Sequence, residues 1–169
     1  MHLPMYQIDA FANNVFSGNP AAVCPLERWL PEPLMQSIAT ENNLSETAFF
    51  VRNDDRFALR WFTPVGEVDL CGHATLATAF LLFSELGFKG ETIRFDTRSG
   101  ELRVSHAGGV LELDFPAQSP VPCPAPEALI DGLGRTPEVV LLAEDDIAVF
   151  PHPEYVAALA PDMYALRKL

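Results

Sequence analysis

Residues 72–87 read GHATLATAFLLFSELG, and this stretch decides the fold. Its spacing predicts a helix with apolar side chains on nearly every side, among them Leu76, Phe80 and Phe83. A helix that is apolar all round is buried among other elements and does not simply rest on a surface by one face. We place its end at Gly87, because glycine adopts the left-handed conformation that closes helices.

Strand-like segments surround this helix in the sequence. The predicted strands are residues 5–11, 21–24, 46–51, 57–62, 67–70, 91–97, 101–106 and 110–115. A shorter helix is predicted over residues 31–43. One buried helix beside strands joined by hairpins indicates an α+β fold, in which a curved, mostly antiparallel sheet wraps around the central helix. The chain has no GxGxxG or P-loop motif, which argues against a nucleotide-binding sheet.

Proline divides the chain. Residues 1–115 contain the helix and the strands described above, and residues 116–126 contain five prolines, which favours a crossover linker over a central strand or a helix. Residues 127–169 follow, with short helices predicted at 127–133 and 153–159 and a strand at 147–150.

Composition excludes several classes of function. The 169 residues carry a formal net charge of -12, which repels nucleic-acid phosphates. No apolar run is long enough for a membrane helix, and the N-terminus does not resemble a signal peptide, so we expect a cytoplasmic protein. Cys24, Cys71 and Cys123 are widely spaced without a CxxC pair, so we expect reduced thiols and no metal site.

Glu46 opens an apolar strand directly after the first predicted helix. Two interpretations fit this position. The side chain is either exposed at a strand start, or held against Phe49, Phe50 or the buried helix. In the second case burial favours the protonated form and suits the carboxyl to proton exchange near neutral pH.

His73 lies in the first turn of the buried helix, directly after Gly72. It either caps or packs at the helix start, or it faces a ligand. Free N–H groups and a partial positive charge at a helix N-terminus suit a substrate carboxylate or a developing enolate. The same field favours a neutral imidazole that accepts or relays a proton, and Gly72 lets the backbone approach a ligand closely.

Two further residues are open to both readings. Cys71 precedes the helix and is either a small buried apolar residue or a thiol activated by the helix N-terminus. Asn19, in Gly18-Asn19-Pro20, is either a turn residue or a polar group directed at a ligand.

Five ordered motifs resemble those of the PhzF-like proteins, the phenazine-biosynthesis family. The motifs are IDAF at 8–11, GNPAAV at 18–23, NLSETAF at 43–49, WFTP at 61–64 and EVDLCGHAT at 67–75. The resemblance is clear through Phe115 and weaker beyond it. It implies a diaminopimelate-epimerase-like fold of two similar halves, each a curved sheet around a central helix, with the active site in the cleft between them. Residues 1–115 would then be the N-terminal lobe, and residues 127–169 the start of an incomplete second lobe.

The resemblance also implies chemistry. It indicates a cofactor-independent isomerase acting on a trans-2,3-dihydro-3-hydroxyanthranilate-like substrate, with Glu46 as general acid/base. His73 and Gly72 would lie at the substrate-binding helix end, Asn19 in the cleft, and a homodimer is expected. Cys71 sits where related racemases carry a catalytic thiol, so a Cys71-dependent racemase or epimerase is the alternative.

Besides Cys71, the sequence departs from the family in its second half. Family members carry an Asp-Pro-x-Thr-Gly-like stretch in their second half that supplies a catalytic Asp, and Asp145-Asp146-Ile147 does not resemble it. We therefore expect the N-terminal part of a longer protein, or a truncated product. The latter leaves a third hypothesis, a non-catalytic protein that binds small ligands.

Overall fold

The computed structural model describes residues 2–14 and 16–169. The chain forms two compact units, residues 1–115 and residues 116–169. Within the described ranges, no helix combines the length and the apolar character needed to cross a membrane.

A single sheet dominates the first unit. Its strands are β1 (Tyr6–Ala10), β2 (Asn19–Leu26), β3 (Glu46–Asn53), β4 (Arg56–Phe62), β5 (Glu67–Val68), β6 (Thr92–Thr97), β7 (Gly100–Ala107) and β8 (Val110–Asp114). Their order is β1-β2-β3-β4-β6-β7-β8, and β5 pairs with β4. The predicted antiparallel pairing prevails, but β2 pairs with β3 and β4 with β6 in parallel. Each parallel pair is joined through a helix, because parallel neighbours need a crossover connection.

The two helices of this unit lie on opposite faces of the sheet. Helix α1 (Glu32–Asn42) packs on β3 and β4, where Met35 and Ala39 meet Phe49 and Phe62. Helix α2 (Gly72–Ser84) contacts β1, β2, β3 and β8. Because strands near both ends of the sheet reach α2, the sheet curls around this helix, and the predicted α+β fold is confirmed.

Two expectations for α2 were wrong in detail. The helix ends at Ser84, three residues before Gly87, because the N–H groups of Glu85 and Leu86 both donate to the carbonyl of Leu81. Gly87 does adopt a left-handed conformation, with φ of 69°, but it lies beyond the helix. Burial is also not all round, since Phe80 is 49% exposed. It lines a cavity of about 510 Å³ between the edge strands β1 and β8, where the curled sheet leaves the helix uncovered.

The second unit contains a three-stranded sheet and three short helices. The elements are β9 (Val121–Cys123), α3 (Glu127–Leu133), β10 (Val139–Leu142), β11 (Asp146–Val149), α4 (Pro153–Ala157) and α5 (Met163–Leu166). The sheet order is β11-β10-β9. The proline-rich stretch is therefore more than a linker, since β9 lies within it. Pro122 is tolerated there because β9 is an edge strand, where a missing N–H leaves no gap in a central ladder.

Candidate active site

A tight connection between α1 and β3 places Glu46. Asn43 ends α1 in the left-handed conformation, with φ of 50°, and its N–H donates to the carbonyl of Ala39. The side chain of Asn42 donates to Oγ1 of Thr47 over 3.1 Å, which ties the end of the helix to the start of the strand. Glu46 is consequently the first residue of β3, on the sheet face that meets α2.

An ionic cluster fixes the segment that leads into α2. Glu67 accepts two hydrogen bonds of 2.6 Å from Arg60, and Nη2 of Arg98 lies 2.7 Å from its carboxylate. The hydroxyl of Ser99 donates to the carbonyl of Asp69 over 2.7 Å. These contacts hold residues 67–69 against the sheet. Because α2 begins three residues later, they also limit where its N-terminus can lie.

β3 and α2 bring Glu46 and His73 together. Nε2 of His73 lies 3.2 Å from Oε2 of Glu46, and the two side chains are 10% and 19% exposed. The relative orientation of the groups does not meet hydrogen-bond geometry, and neither atom has another hydrogen-bond partner among the described residues. Of the two interpretations of Glu46, the structure shows the one in which the side chain lies against the buried helix. The side chain is not exposed at the start of the strand.

Cys71 joins this pair from the other side of the imidazole. Its Sγ lies 3.5 Å from Nδ1 of His73, and the residue is 7% exposed. Burial raises the pKa of the Cys71 thiol to about 12, and the charge of Glu46 adds to this shift. The thiol is therefore protonated near neutral pH. The effect of burial on its pKa outweighs the lowering expected at a helix N-terminus.

The start of α2 presents backbone N–H groups beside these side chains. Cys71 is extended, with φ of -149° and ψ of 115°, and makes no side-chain capping bond to the helix. The N–H groups of Gly72, His73 and Ala74 lie in the first turn of the helix, so no preceding helical carbonyl accepts a hydrogen bond from them. Together with the helix dipole, they favour a carboxylate or a developing negative charge at this point.

The ring of Phe115 packs closely against Gly72. A Cβ atom on Gly72 would lie 3.3 Å from Cε2 of that ring, which is closer than most such contacts. Phe115 is half-buried and follows β8 directly, so it forms an aromatic wall at the start of α2. Sequence reasoning missed this contact, because residues 72 and 115 are far apart in the chain.

Asn19 lies at the same end of the sheet as Glu46. It is the first residue of β2, and the parallel pairing of β2 with β3 sets Ala21 opposite Glu46. The residue is half-buried, and alternation along β2 directs it to the face that meets α2. Gly18, with φ of 92°, precedes it, and a side chain there would collide with the carbonyl of Ala10. The Gly18-Asn19 pair is thus both a turn and a means of placing Asn19.

The Arg60–Glu67–Arg98 cluster was also missed by sequence reasoning. One signal was present, since Arg60 stands between Leu59 and Trp61 in an otherwise apolar strand. A charged residue at such a position needs a partner, because burying an unpaired charge is costly. The sequence does not say which carboxylate supplies it.

Chemically, the site combines a carboxylate, an imidazole and a thiol with a helix N-terminus. One donor atom from each of Glu46, Cys71 and His73 lies within 4.8 Å of the others. A carboxylate and an imidazole in contact can accept, hold and return a proton, and the N–H groups can stabilise the charge that proton removal creates.

Comparison with known proteins shows the family of the chain. The profile of the phenazine biosynthesis-like protein family, PhzC-PhzF, matches residues 8–134. An uncharacterized isomerase of Pseudomonas aeruginosa is 52% identical over 169 residues, which cover 100% of this chain and 65% of that protein. The human phenazine biosynthesis-like domain-containing protein is 51% identical over 124 residues, covering 69% of this chain and 43% of that protein.

Solved structures show the same similarity. A PhzF-family protein of Enterococcus faecalis superposes with a TM-score of 0.91 at 49% identity, covering 100% of this chain and 65% of that one. A probable proline racemase from Agrobacterium radiobacter shares the fold alone, with a TM-score of 0.52 at 14% identity. The chain thus spans 65% of the length of its P. aeruginosa and E. faecalis relatives. By its sequence and its fold, it belongs to the PhzC-PhzF family of phenazine biosynthesis-like proteins.

Proposed function

We propose that the protein is a cofactor-independent isomerase that moves a proton between two carbons of a small carboxylated substrate. The observation that carries the proposal is the 3.2 Å approach of His73 Nε2 to Glu46 Oε2 at the N-terminus of α2. The naming of its P. aeruginosa relatives as isomerases supports the same class of reaction. A trans-2,3-dihydro-3-hydroxyanthranilate-like molecule is the substrate we propose to test first.

Each group has a separate role in this proposal. Glu46 takes a proton as a C–H bond breaks, and the electron pair moves into the adjoining unsaturated system. The protonated carboxyl then returns the proton to another carbon, where a new C–H bond forms. His73 packs against the carboxyl of Glu46, and the N–H groups at the start of α2 bind the substrate carboxylate or the developing charge. Asn19 would be a further polar contact at the same end of the sheet.

A Cys71-dependent racemase or epimerase is the second candidate. The observation in its favour is the 3.5 Å distance between Cys71 Sγ and His73 Nδ1, a contact through which an imidazole can accept the thiol proton. The raised pKa of the thiol counts against it, because a thiol with a pKa of about 12 is seldom ionised at neutral pH. We therefore assign proton transfer to Glu46.

The test is solvent-deuterium exchange into the carboxylated substrate, followed by mass spectrometry. Glu46→Gln keeps the size of the side chain but removes its basic carboxylate, and we expect a loss of about 10²–10⁴ in exchange rate. Glu112→Gln, on the exposed side of β8, is the matched control and should exchange like the unmodified protein. Cys71→Ser should retain exchange if the assignment holds.

Other outcomes identify the alternatives. Exchange that survives Glu46→Gln but disappears in Cys71→Ser supports the thiol-dependent racemase or epimerase and overturns the role of Glu46. Binding of the carboxylate without exchange in any variant, the unmodified protein included, supports a ligand-binding protein instead.

A further inference from the structure

We infer that Trp61 is a positioning residue of the candidate active site, and that its indole N–H donates a hydrogen bond to the carboxylate of Glu46. Trp61 belongs to the WFTP motif at 61–64, to which the proposed reaction assigns no role. The hydrogen bond is inferred from the packing of the chain alone. Its effect on the rate of proton transfer rests on the proposed isomerase function.

Two unpaired atoms of opposite kind give the first reason. Nε1 of Trp61 and Oε2 of Glu46 are both buried without a hydrogen-bond partner among the described residues. Trp61 is only 1% exposed, so bulk water does not reach its N–H from the surface. Buried polar atoms are normally paired, an indole nitrogen can only donate, and an ionised carboxylate can only accept. Each of the two residues therefore supplies what the other lacks.

The register of the sheet places the two residues beside each other. Trp61 in β4 pairs with Ala48 of β3, and Glu46 lies two residues before Ala48, on the same face of that strand. Glu46 and Trp61 are thus diagonal neighbours on the face of the sheet that meets α2. Aromatic and other long side chains reach each other across such a diagonal. A rotation of the Glu46 side chain would bring its carboxylate to the indole N–H.

The surroundings of Trp61 also connect it to the start of α2. On its other side Trp61 pairs with Val68 of β5, and Cys71 follows three residues later. Trp61 and Cys71 belong to one cluster of buried side chains, which also contains Ala74 in the first turn of the helix. The indole is therefore closely packed beside the candidate site and has little freedom to turn. A donor held in this way can fix the direction of a flexible carboxylate.

Such a hydrogen bond would serve the proposed proton transfer. A hydrogen bond from an N–H to an ionised acceptor is stronger than one to a neutral acceptor. The indole N–H would therefore favour the carboxylate form of Glu46, which takes the proton, and would hold it in one orientation. The bond weakens once Glu46 is protonated, which frees the carboxyl to return the proton to a different carbon.

The ¹H–¹⁵N NMR signal of the indole tests the hydrogen bond. The chain has two tryptophans, Trp29 and Trp61, so Trp29→Phe leaves a single indole signal. In this background we expect Glu46→Gln to move the Trp61 signal upfield, because an amide oxygen accepts more weakly than a carboxylate. Glu112→Gln, on the exposed side of β8, is the control and should leave the signal in place. An unchanged Trp61 signal in Glu46→Gln would overturn the inference.

The kinetics of solvent-deuterium exchange into the carboxylated substrate test the positioning role. Trp61→Phe keeps an aromatic ring but removes the N–H, and we expect kcat to fall about tenfold with KM unchanged. A second replacement covers the case in which Trp61→Phe does not fold. Trp29→Phe protein produced with β-(3-benzothienyl)alanine in place of tryptophan carries a sulfur atom where the indole has its N–H, in a ring system of nearly the same size. We expect the same loss of kcat, whereas Trp29→Phe with ordinary tryptophan should exchange like the unmodified protein.

The outcomes separate this inference from the proposed function. Full kcat in the benzothienyl protein would overturn the positioning role of Trp61, and so would a loss that appears only in KM. If the unmodified protein exchanges no deuterium, the isomerase proposal fails, and the NMR signal of Trp61 in Glu46→Gln decides the hydrogen bond by itself.

Discussion

Nε2 of His73 lies 3.2 Å from Oε2 of Glu46, in a buried position where neither atom has a hydrogen-bond partner among the described residues. A buried polar atom left unpaired costs roughly 1–3 kcal/mol. The packed core around β3 and α2 supplies the stability that holds the two groups together. A local loss of stability of this kind is typical of residues that serve function rather than folding.

Glu46→Gln should stabilise the protein while impairing proton transfer. Glutamine replaces a buried carboxylate by an uncharged amide of the same size, and a small rotation would let its N–H donate to Nε2 of His73, so we expect a gain of about 1 kcal/mol in the free energy of unfolding. Urea denaturation measures this gain. Glu41→Gln, on the exposed side of α1, is the control and should change stability by less than about 0.5 kcal/mol. A clear loss of stability in Glu46→Gln would show that the Glu46–His73 contact is favourable as it stands.

The three thiols should differ in their rates of alkylation. Cys24 and Cys71 are buried with a pKa raised to about 12, whereas Cys123 is half-buried in the second unit. We expect iodoacetamide near pH 8 to label Cys123 first, because only an accessible thiolate reacts. Peptide mass spectrometry of the native protein over time gives the order. Labelling of Cys71 as fast as that of Cys123 would contradict the buried site, and full labelling in urea is the control.

Stability should fall as the pH rises above 9. Burial raises the pKa of Cys24 and of Cys71 from 9.0 to about 12, so the folded chain retains protons that the unfolded chain releases. The stabilising effect is complete below pH 9 and is lost as pH rises toward 12. Each thiol contributes a slope of about -1.4 kcal/mol per pH unit in that window.

Cys24→Ala isolates one of these contributions. Urea denaturation at several pH values between 9 and 11 should show a slope that is less steep by about 1.4 kcal/mol per pH unit than in the unmodified protein. Cys123→Ala should leave the slope unchanged. An identical slope in Cys24→Ala would mean that other groups cause the alkaline loss of stability.

Glu67 and Glu32 bind the same arginine but should differ in their effect on stability. The Glu67 side chain is 6% exposed and that of Glu32 is 61% exposed, while both contact Arg60. Glu67→Gln breaks a buried ion pair and should cost about 3 kcal/mol. Glu32→Gln should cost less than about 1 kcal/mol, because solvent screens an exposed pair. Thermal or urea denaturation compares the two, and equal losses would contradict a structural role for the buried pair.

Gly72 and Phe115 should be energetically coupled. Gly72→Ala introduces a Cβ atom 3.3 Å from the Phe115 ring, so the ring must shift. We expect the substitution to be better tolerated in a Phe115→Leu background, with a coupling energy of about 0.5–1 kcal/mol. A double-mutant cycle in urea measures this energy. Strictly additive effects would mean that the ring moves aside without cost.

The elements with strong local signals could be predicted from the sequence. The apolar run at 72–87 predicted the central helix, and the strand-like segments at 46–51 and 57–62, and at 101–106 and 110–115, form two hairpins. The end of α2 and the short strands β9 and β10 could not be predicted as well. Proline at Pro122 argued against a strand, and only pairing with β10 shows that an edge position tolerates it.

What the sequence determined by itself is the family, the α+β fold and the identity of Glu46 and His73 as candidates. These predictions rest on local patterns and on the order of the motifs, which can be recognised without knowing which residues are in contact. Only the tertiary structure decided that Glu46, Cys71 and His73 meet, that Phe115 covers Gly72 and that Glu67 binds two arginines. Such contacts depend on the register of β2 with β3 and on the curl of the sheet around α2. The register and the curl both arise from packing between side chains that are distant in sequence, so no local sequence pattern predicts them.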